Sequence, residues 1–156
     1  KGEKLYRRGL YTFIKLTSPP PMPIIFDGSN RDQCEVNRGR TNTPLQALVM
    51  LNDPLMMEAA RVLAVKLNKD DRDAKAQVET AFERIVCRKP SSKELDILVS
   101  YLEEEKERFK KDPKKAMDLM RVGEYPLEEK DINPNSAALM QVIMTIYNLE
   151  EAITKV

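Results

Sequence analysis

The run RGRTNTPLQALVMLNDP, residues 38–54, decides the fold. It sets two arginines and a Thr-Asn-Thr ahead of an apolar stretch and closes on Asn-Asp-Pro. Thr43 suits a helix N-cap, where a side-chain oxygen accepts one of the backbone N–H groups left over at a helix start. Pro44 suits the first helical position, because its φ is already helical and its missing N–H is not needed there. Leu45, Leu48, Val49 and Leu51 then fall on one helical face. Asp53-Pro54 repeats the device and opens a second helix, with Leu55, Met56, Ala59, Val62, Leu63 and Leu67 as its apolar stripe. A proline inside one continuous helix would cost about 3 kcal/mol, so the chain breaks at Asn52–Asp53.

Helical spacing recurs on both sides of this run. Leu5, Leu10, Tyr11, Phe13 and Ile14 predict a short amphipathic helix. Val78, Phe82 and Ile85 mark another over 74–86. Ser91 and Glu94 form a capping box ahead of Leu95, Leu98, Val99 and Leu102. The charged run Glu103–Lys111 reads as a solvated face laced by i,i+4 ion pairs. A shorter helix over 113–122 carries Met117 and Met120 and stops at Gly123. Asn133-Pro134 or Ser136 opens a last helix, with Ala137, Leu139, Met140, Val142, Ile143, Ile146, Leu149 and Ile153 around much of its circumference. A helix that apolar belongs at the centre of a bundle. Methionines at core spacing, among them Met56, Met57, Met140 and Met144, read as packing rather than as metal ligands.

Between Thr17 and Thr43 no period is sustained. Pro19, Pro20, Pro21 and Pro23 predict a stiff, extended connector, and Met22–Phe26 is the longest strand-like signal. The expectation is therefore an all-α protein, an irregular bundle of six or seven helices. Residues 1–43 form an N-terminal helix with a long ordered Pro-rich arm, residues 44–156 form the bundle, and the two make one domain.

Composition narrows the chemistry. With 156 residues, 42% apolar and 33% charged, the chain is neither disordered nor membrane-embedded. No apolar run approaches the roughly 18 residues of a membrane span. The net charge of +1 hides a basic first segment, since residues 1–40 hold eight basic and four acidic side chains. That balance is too mild for a nucleic-acid binder. There is no histidine, which removes Ser-His-Asp and Cys-His nucleophile systems and histidine zinc sites. Neither a cofactor nor a metal is expected. Cys34 and Cys87 form one disulfide if the protein is exported, or stand as two thiols, the reading preferred from the residues alone. The chain begins Lys-Gly-Glu-Lys, which we read as a piece of a larger protein.

What chemistry remains is polar and carboxylate-based. Asp27 with Glu35, or Asp27 with Asp53, could pair as acid and base in a glycoside hydrolase, although linear spacing cannot establish the separation. Asp27, Asn30 and Asp32 alternate like oxygen ligands but lack the spacing and closing Glu of a calcium loop. Cys34 near Arg31 and Arg38 is a weak reactive thiol. Asp27, Asn30, Arg38, Arg40 and Asn42 could line an anion or sugar pocket beside the helix starts. The competing reading is structural. Arg38 and Arg40 pair with acids, while Thr41, Asn42, Thr43, Pro44, Gln46, Asn52, Asp53 and Pro54 begin and end helices and satisfy loop carbonyls. We prefer the structural reading.

The segment RTNTPLQALVMLNDP, residues 40–54, closely resembles the signature of family 1553 of the domains of unknown function. This family is a C-terminal domain of large exported proteins of planctomycetes and Bacteroidetes. RRGLYTFIKLTSPPP (7–21) and FDGSNRDQC (26–34) are similar to its earlier landmarks, and RIVCRKPSSKEL (84–95) and NLEEAITKV (148–156) to its later ones. Gly9, Ile14, Leu16 and Gly39 depart from the family pattern, and Cys87 stands where glycine is usual. The resemblance implies export to the periplasm or cell surface, companion domains upstream in the same polypeptide, and gene settings tied to polysaccharide use. It supplies no catalytic residue. An exported setting strengthens the case for a Cys34–Cys87 bridge without deciding it. The leading expectation is a non-catalytic helical module packing against its companion domain through residues 1–43, with an apolar patch at Tyr6, Phe13, Ile24, Ile25 and Phe26. The alternative is a glycan-binding or polysaccharide-processing accessory domain.

Overall fold

The computed structural model describes residues 2–7, 9–11, 13, 15, 20–29, 36–37, 39, 41–70 and 73–154. Asn30, Arg31, Asp32, Cys34, Glu35, Arg38 and Arg40 lie outside them, as does Ile14. The protein is all-α, with eight α-helices among the described residues: α1 Pro21–Ile25, α2 Pro44–Asn52, α3 Pro54–Lys69, α4 Ala74–Val86, α5 Ser92–Lys111, α6 Pro113–Met120, α7 Pro134–Tyr147 and α8 Glu150–Ile153. Two of the eight, α1 and α8, are single turns that helical periodicity does not register. The chain divides into two compact units, residues 1–49 and 50–156.

In the second unit the helix boundaries follow from short side chains and prolines. Asp53 accepts from the N–H groups of Leu55 and Met56, Asp73 from Ala76, Asp112 from Lys115 and Asn133 from Ser136. Each supplies an acceptor to a donor that the helix start leaves over. Three of these caps precede a proline at the first helical position: Pro54, Pro113 and Pro134. Ser91 and Glu94 close the expected capping box, with Ser91 N–H donating to Glu94 Oε2 at 2.7 Å. At the other end of α4, Cys87 sits at φ +62 with its N–H on the Glu83 carbonyl. That left-handed position costs a side chain about 1–2 kcal/mol and favours glycine, the residue the family pattern leads one to expect there. The Cys87 thiol is free and exposed.

α7 is the centre of this unit. It packs against α3, α4, α5 and α6, and Leu139, Met140, Val142, Ile143 and Ile146 are fully buried. Leu67 of α3, Val78 and Phe82 of α4, and Leu102 of α5 complete the core. A polar seam ties three of the helices. Asn68 donates to Ser136 at 2.8 Å and accepts from Gln77 at 3.1 Å, so these half-buried and buried polar groups are mutually satisfied.

Five expectations need correction. The stripe of α3 is rotated: Ala60, Arg61, Ala64 and Leu67 are buried together with Glu58, whereas Leu55 and Ala59 are exposed. The largest apolar residues misled the reading, because alanines allow close approach to α7 and the buried face also carries two charges. The charged run of α5 is not wholly solvated, since Glu105 and Phe109 are buried, and its ion pairs are spaced i,i+3: Glu103–Lys106, Glu105–Arg108 and Glu107–Lys110. The last helix ends at Tyr147, and Leu149, in an extended conformation, caps a separate turn, α8. In the first unit, residues 21–25 are helical, not strand-like or extended. Pro21 and Pro23 occupy first-turn positions, whose N–H groups have no partner inside the helix, so two prolines there forfeit no hydrogen bond.

The N-terminal helix is also replaced, by 3₁₀ turns at Gly2–Tyr6 and Gly9–Tyr11. Glycine is poor in helix interiors, and two of them stand in this short segment.

Arg88 joins three elements of the second unit. Its guanidinium pairs with Glu94 at 2.7 Å and Glu151 at 2.7 Å and lies 4.9 Å from the Phe82 ring centroid. The hydrogen bond from Arg88, with those from Ser91, holds the Glu94 carboxyl down at about 2. Arg88 likewise pulls Glu151 below its ordinary value. A depressed carboxylate contributes stability that is present above its unfolded value of about 4.3 and is lost as pH falls towards its folded one. Thermal melts of the wild type and Arg88→Gln should therefore differ at neutral pH, with the variant lower, and converge between about pH 5 and 2. A gap that persists unchanged at pH 2 would show that the carboxylates are not the cause.

Candidate functional site

The 38–54 signature is built around Gln46, only 1% exposed and the one buried residue among those in 1–49 whose burial is described. Its Oε1 accepts from Thr43 N–H at 2.9 Å while Thr43 Oγ1 accepts from Gln46 N–H at 3.3 Å. This reciprocal exchange is a capping box in which glutamine takes the place of glutamate. Thr43 and Pro44 thus start α2, and Gln46, named with them in the structural reading, completes the box. The Thr-x-x-Gln spacing carries that signal.

The other end of the same carboxamide reaches back along the chain. Gln46 Nε2 donates to the Ile25 carbonyl at 2.8 Å and to Thr41 Oγ1 at 3.2 Å. Thr41 in turn donates its N–H to Asp27 Oδ2 at 2.7 Å, and its hydroxyl lies 2.9 Å from both Asp27 oxygens. Asp27 is held ready by the end of α1. Its φ is +55, its N–H donates to the Ile24 carbonyl, and the Gly28 N–H donates to that of Pro23. These are the two hydrogen bonds of a Schellman motif, with aspartate in the left-handed position that Asn and Asp tolerate best among side chains. Gly28 is required next, because a Cβ there would lie 2.5 Å from the Pro23 carbonyl oxygen.

Of the five candidate ligand residues, Asp27 and Asn42 are among those described. Asp27 is engaged by Thr41, and Asn42 is exposed. Asn30, Arg38 and Arg40 lie outside the described residues, so their convergence with Asp27 stays a proposal. Asn52 ends α2 and is exposed, and Asp53 caps α3. Asp27, Thr41, Thr43, Gln46 and Asp53 are bonded within the chain.

A second polar centre, in the 50–156 unit, was invisible to sequence periodicity. Glu58 and Arg61, 5% and 2% exposed, sit one turn apart on the buried face of α3. Glu58 Oε2 accepts from the N–H groups of Glu124 and Tyr125. Arg61 Nη2 donates to the Tyr125 carbonyl at 2.9 Å and lies 4.0 Å from Glu58. Together they clamp the turn that follows α6. The clamp demands Gly123, whose φ is +100 and whose added Cβ would lie 2.3 Å from Glu58 Oε2.

A model of the family PSD1, described as a protein of unknown function (DUF1553), matches residues 1–102. The chain belongs to this family. No curated protein and no solved structure matches it. The matched region includes the whole Asp27–Thr41–Gln46 latch and both members of the Glu58–Arg61 pair. Within this DUF1553 chain the signature Thr-Asn-Thr-Pro-Leu-Gln therefore has a physical account: each described polar residue except Asn42 starts α2 or ties α1 to it. The resemblance at 148–156 falls beyond the matched residues. No helix among the described residues is long and apolar enough to cross a membrane.

Proposed function

We propose that this DUF1553 chain is a non-catalytic helical module of an exported multidomain protein, and that residues 1–43 pack against a companion domain of the same polypeptide. One observation carries the reading. No apolar residue whose burial is described in 1–49 is buried, although Tyr6, Tyr11, Phe13, Ile24, Leu45 and Leu48 are all there. Phe13 is 83% exposed and Leu48 58%. Apolar exposure at this many large side chains of one short segment favours an interaction surface over idle surface. The hydrogen bonds of Asp27, Thr41 and Gln46 fix the backbone around Ile24 and Leu45, which lowers the ordering cost of binding there. Export and the companion domain are supported by the family resemblance.

Calorimetric titration of the chain with the separately produced preceding domain of its polypeptide tests this. A saturable complex is expected, weakened about tenfold or more by Phe13→Glu or Ile24→Glu. No complex, or one that both variants leave unchanged, contradicts it. A second reading, a glycan-binding or polysaccharide-processing accessory centred on Asp27, Asn30, Arg38, Arg40 and Asn42, draws on the exposed rings of Tyr11 and Phe13 as stacking faces. A glycan array blank for the parent protein would remove it.

A further inference from the structure

Asp27–Gly28 is the one Asp-Gly pair in the 156 residues, and it stands where α1 ends. Asp-Gly is the most reactive aspartyl sequence, because glycine sets no side chain in the way of its own backbone nitrogen. That nitrogen can attack Cγ of the protonated aspartyl side chain. An N–Cγ bond forms, one carboxyl oxygen departs as water with the carboxyl and amide protons, and a five-membered succinimide results. Water then opens the ring at either carbonyl. Opening at the former backbone carbonyl leaves isoaspartate, with the main chain rerouted through Cβ and Cγ.

The fold has reasons to keep this pair. Gly28 is required because an added Cβ would lie 2.5 Å from the Pro23 carbonyl oxygen. Asp27, at φ +55, occupies a conformation that few side chains tolerate, and its carboxylate is the acceptor for both donors of Thr41. The same contacts engage both reacting groups. Thr41 N–H donates to Oδ2 at 2.7 Å, and the hydroxyl lies 2.9 Å from each carboxylate oxygen. Gly28 N–H is committed to the Pro23 carbonyl at 2.5 Å. Ring closure needs the nitrogen and Cγ in a near-attack arrangement, so both sets of hydrogen bonds must break first. We propose that Asp27–Gly28 is a modification site, converting to isoaspartate whenever the Thr41 latch opens. The rerouted chain is one atom longer and carries its carboxylate on Cα, so each conversion removes the Asp27 tie between α1 and the start of α2.

The test is incubation of the full chain at neutral pH and physiological temperature. Isoaspartate is counted by enzymatic carboxyl methylation and located by electron-transfer fragmentation. The folded chain is expected to convert at Asp27 about tenfold or more slowly than the urea-unfolded chain, since reaction awaits local opening. Thr41 is exposed, so Thr41→Val removes the hydroxyl without touching the core. It should accelerate conversion in the folded chain about fivefold, the factor that one lost hydrogen bond gives, and leave the unfolded rate unchanged. Conversion at Asp27 as fast in the folded chain as in the unfolded one, no faster in Thr41→Val than in the wild type, or confined to other aspartates would overturn the proposal.

Discussion

Glu58→Ala should lower the unfolding free energy by about 3–5 kcal/mol, the cost of breaking a buried charge arrangement by removing one side. The substitution takes away the acceptor shared by the Glu124 and Tyr125 N–H groups and strips Arg61 of the carboxylate 4.0 Å away. Arg61, 2% exposed, cannot turn to water for compensation. A domain of this kind is stable by only about 5–15 kcal/mol, so urea unfolding should show a large fall in midpoint at unchanged slope. The double variant Glu58→Ala, Arg61→Leu isolates the cause. If the penalty is an orphaned buried cation, the double variant loses clearly less than the sum of the two singles. Simple additivity would mean that the two side chains act independently, against the clamp described here.

Ile143→Ala is the second large effect, at about 2–5 kcal/mol, with Ile143→Val at about 0.5–1.5 kcal/mol. Ile143 is fully buried on α7, the helix that packs against α3, α4, α5 and α6. Its neighbours belong to rigid helices from several directions, so a truncated side chain leaves a hole that the surroundings cannot fill by collapse. Ile97, 68% exposed on α5, is the internal control, and Ile97→Ala should fall within about 0.5 kcal/mol of the wild type. Equal losses at 143 and 97 in denaturant unfolding would contradict the central placement of α7.

The parts of this architecture legible in the sequence are those that a single local rule governs. Asp53-Pro54 and Asn133-Pro134 mark helix starts because a cap and a first-turn proline act within four residues. α7 declares itself by being apolar all round. What escaped detection depends on partners distant in sequence. Nothing near Glu58 and Arg61 foretells that residues 123–125 will come to lie on them. Likewise Pro21–Pro23 reads as extended until the rest of the turn is seen to accept it. The polar signature was half legible. Thr43 and Pro44 are plain, whereas the double use of Gln46, bonding to its own helix start and back to Ile25, depends on a partner 21 residues away.

The central claim is that Thr41, Thr43 and Gln46 are spent on the protein's own backbone and on Asp27. Amide hydrogen exchange in Gln46→Ala tests it most directly. Loss of the Gln46 carboxamide removes the acceptor of the Thr43 N–H and the tie to the Ile25 carbonyl. Exchange at Thr43, and at Thr41 through its bond to Asp27, should accelerate by about ten- to a hundredfold, as the loss of about 1–3 kcal/mol of local hydrogen bonding requires. Unchanged rates at both amides would contradict the claim and return these side chains to the pool available for a ligand.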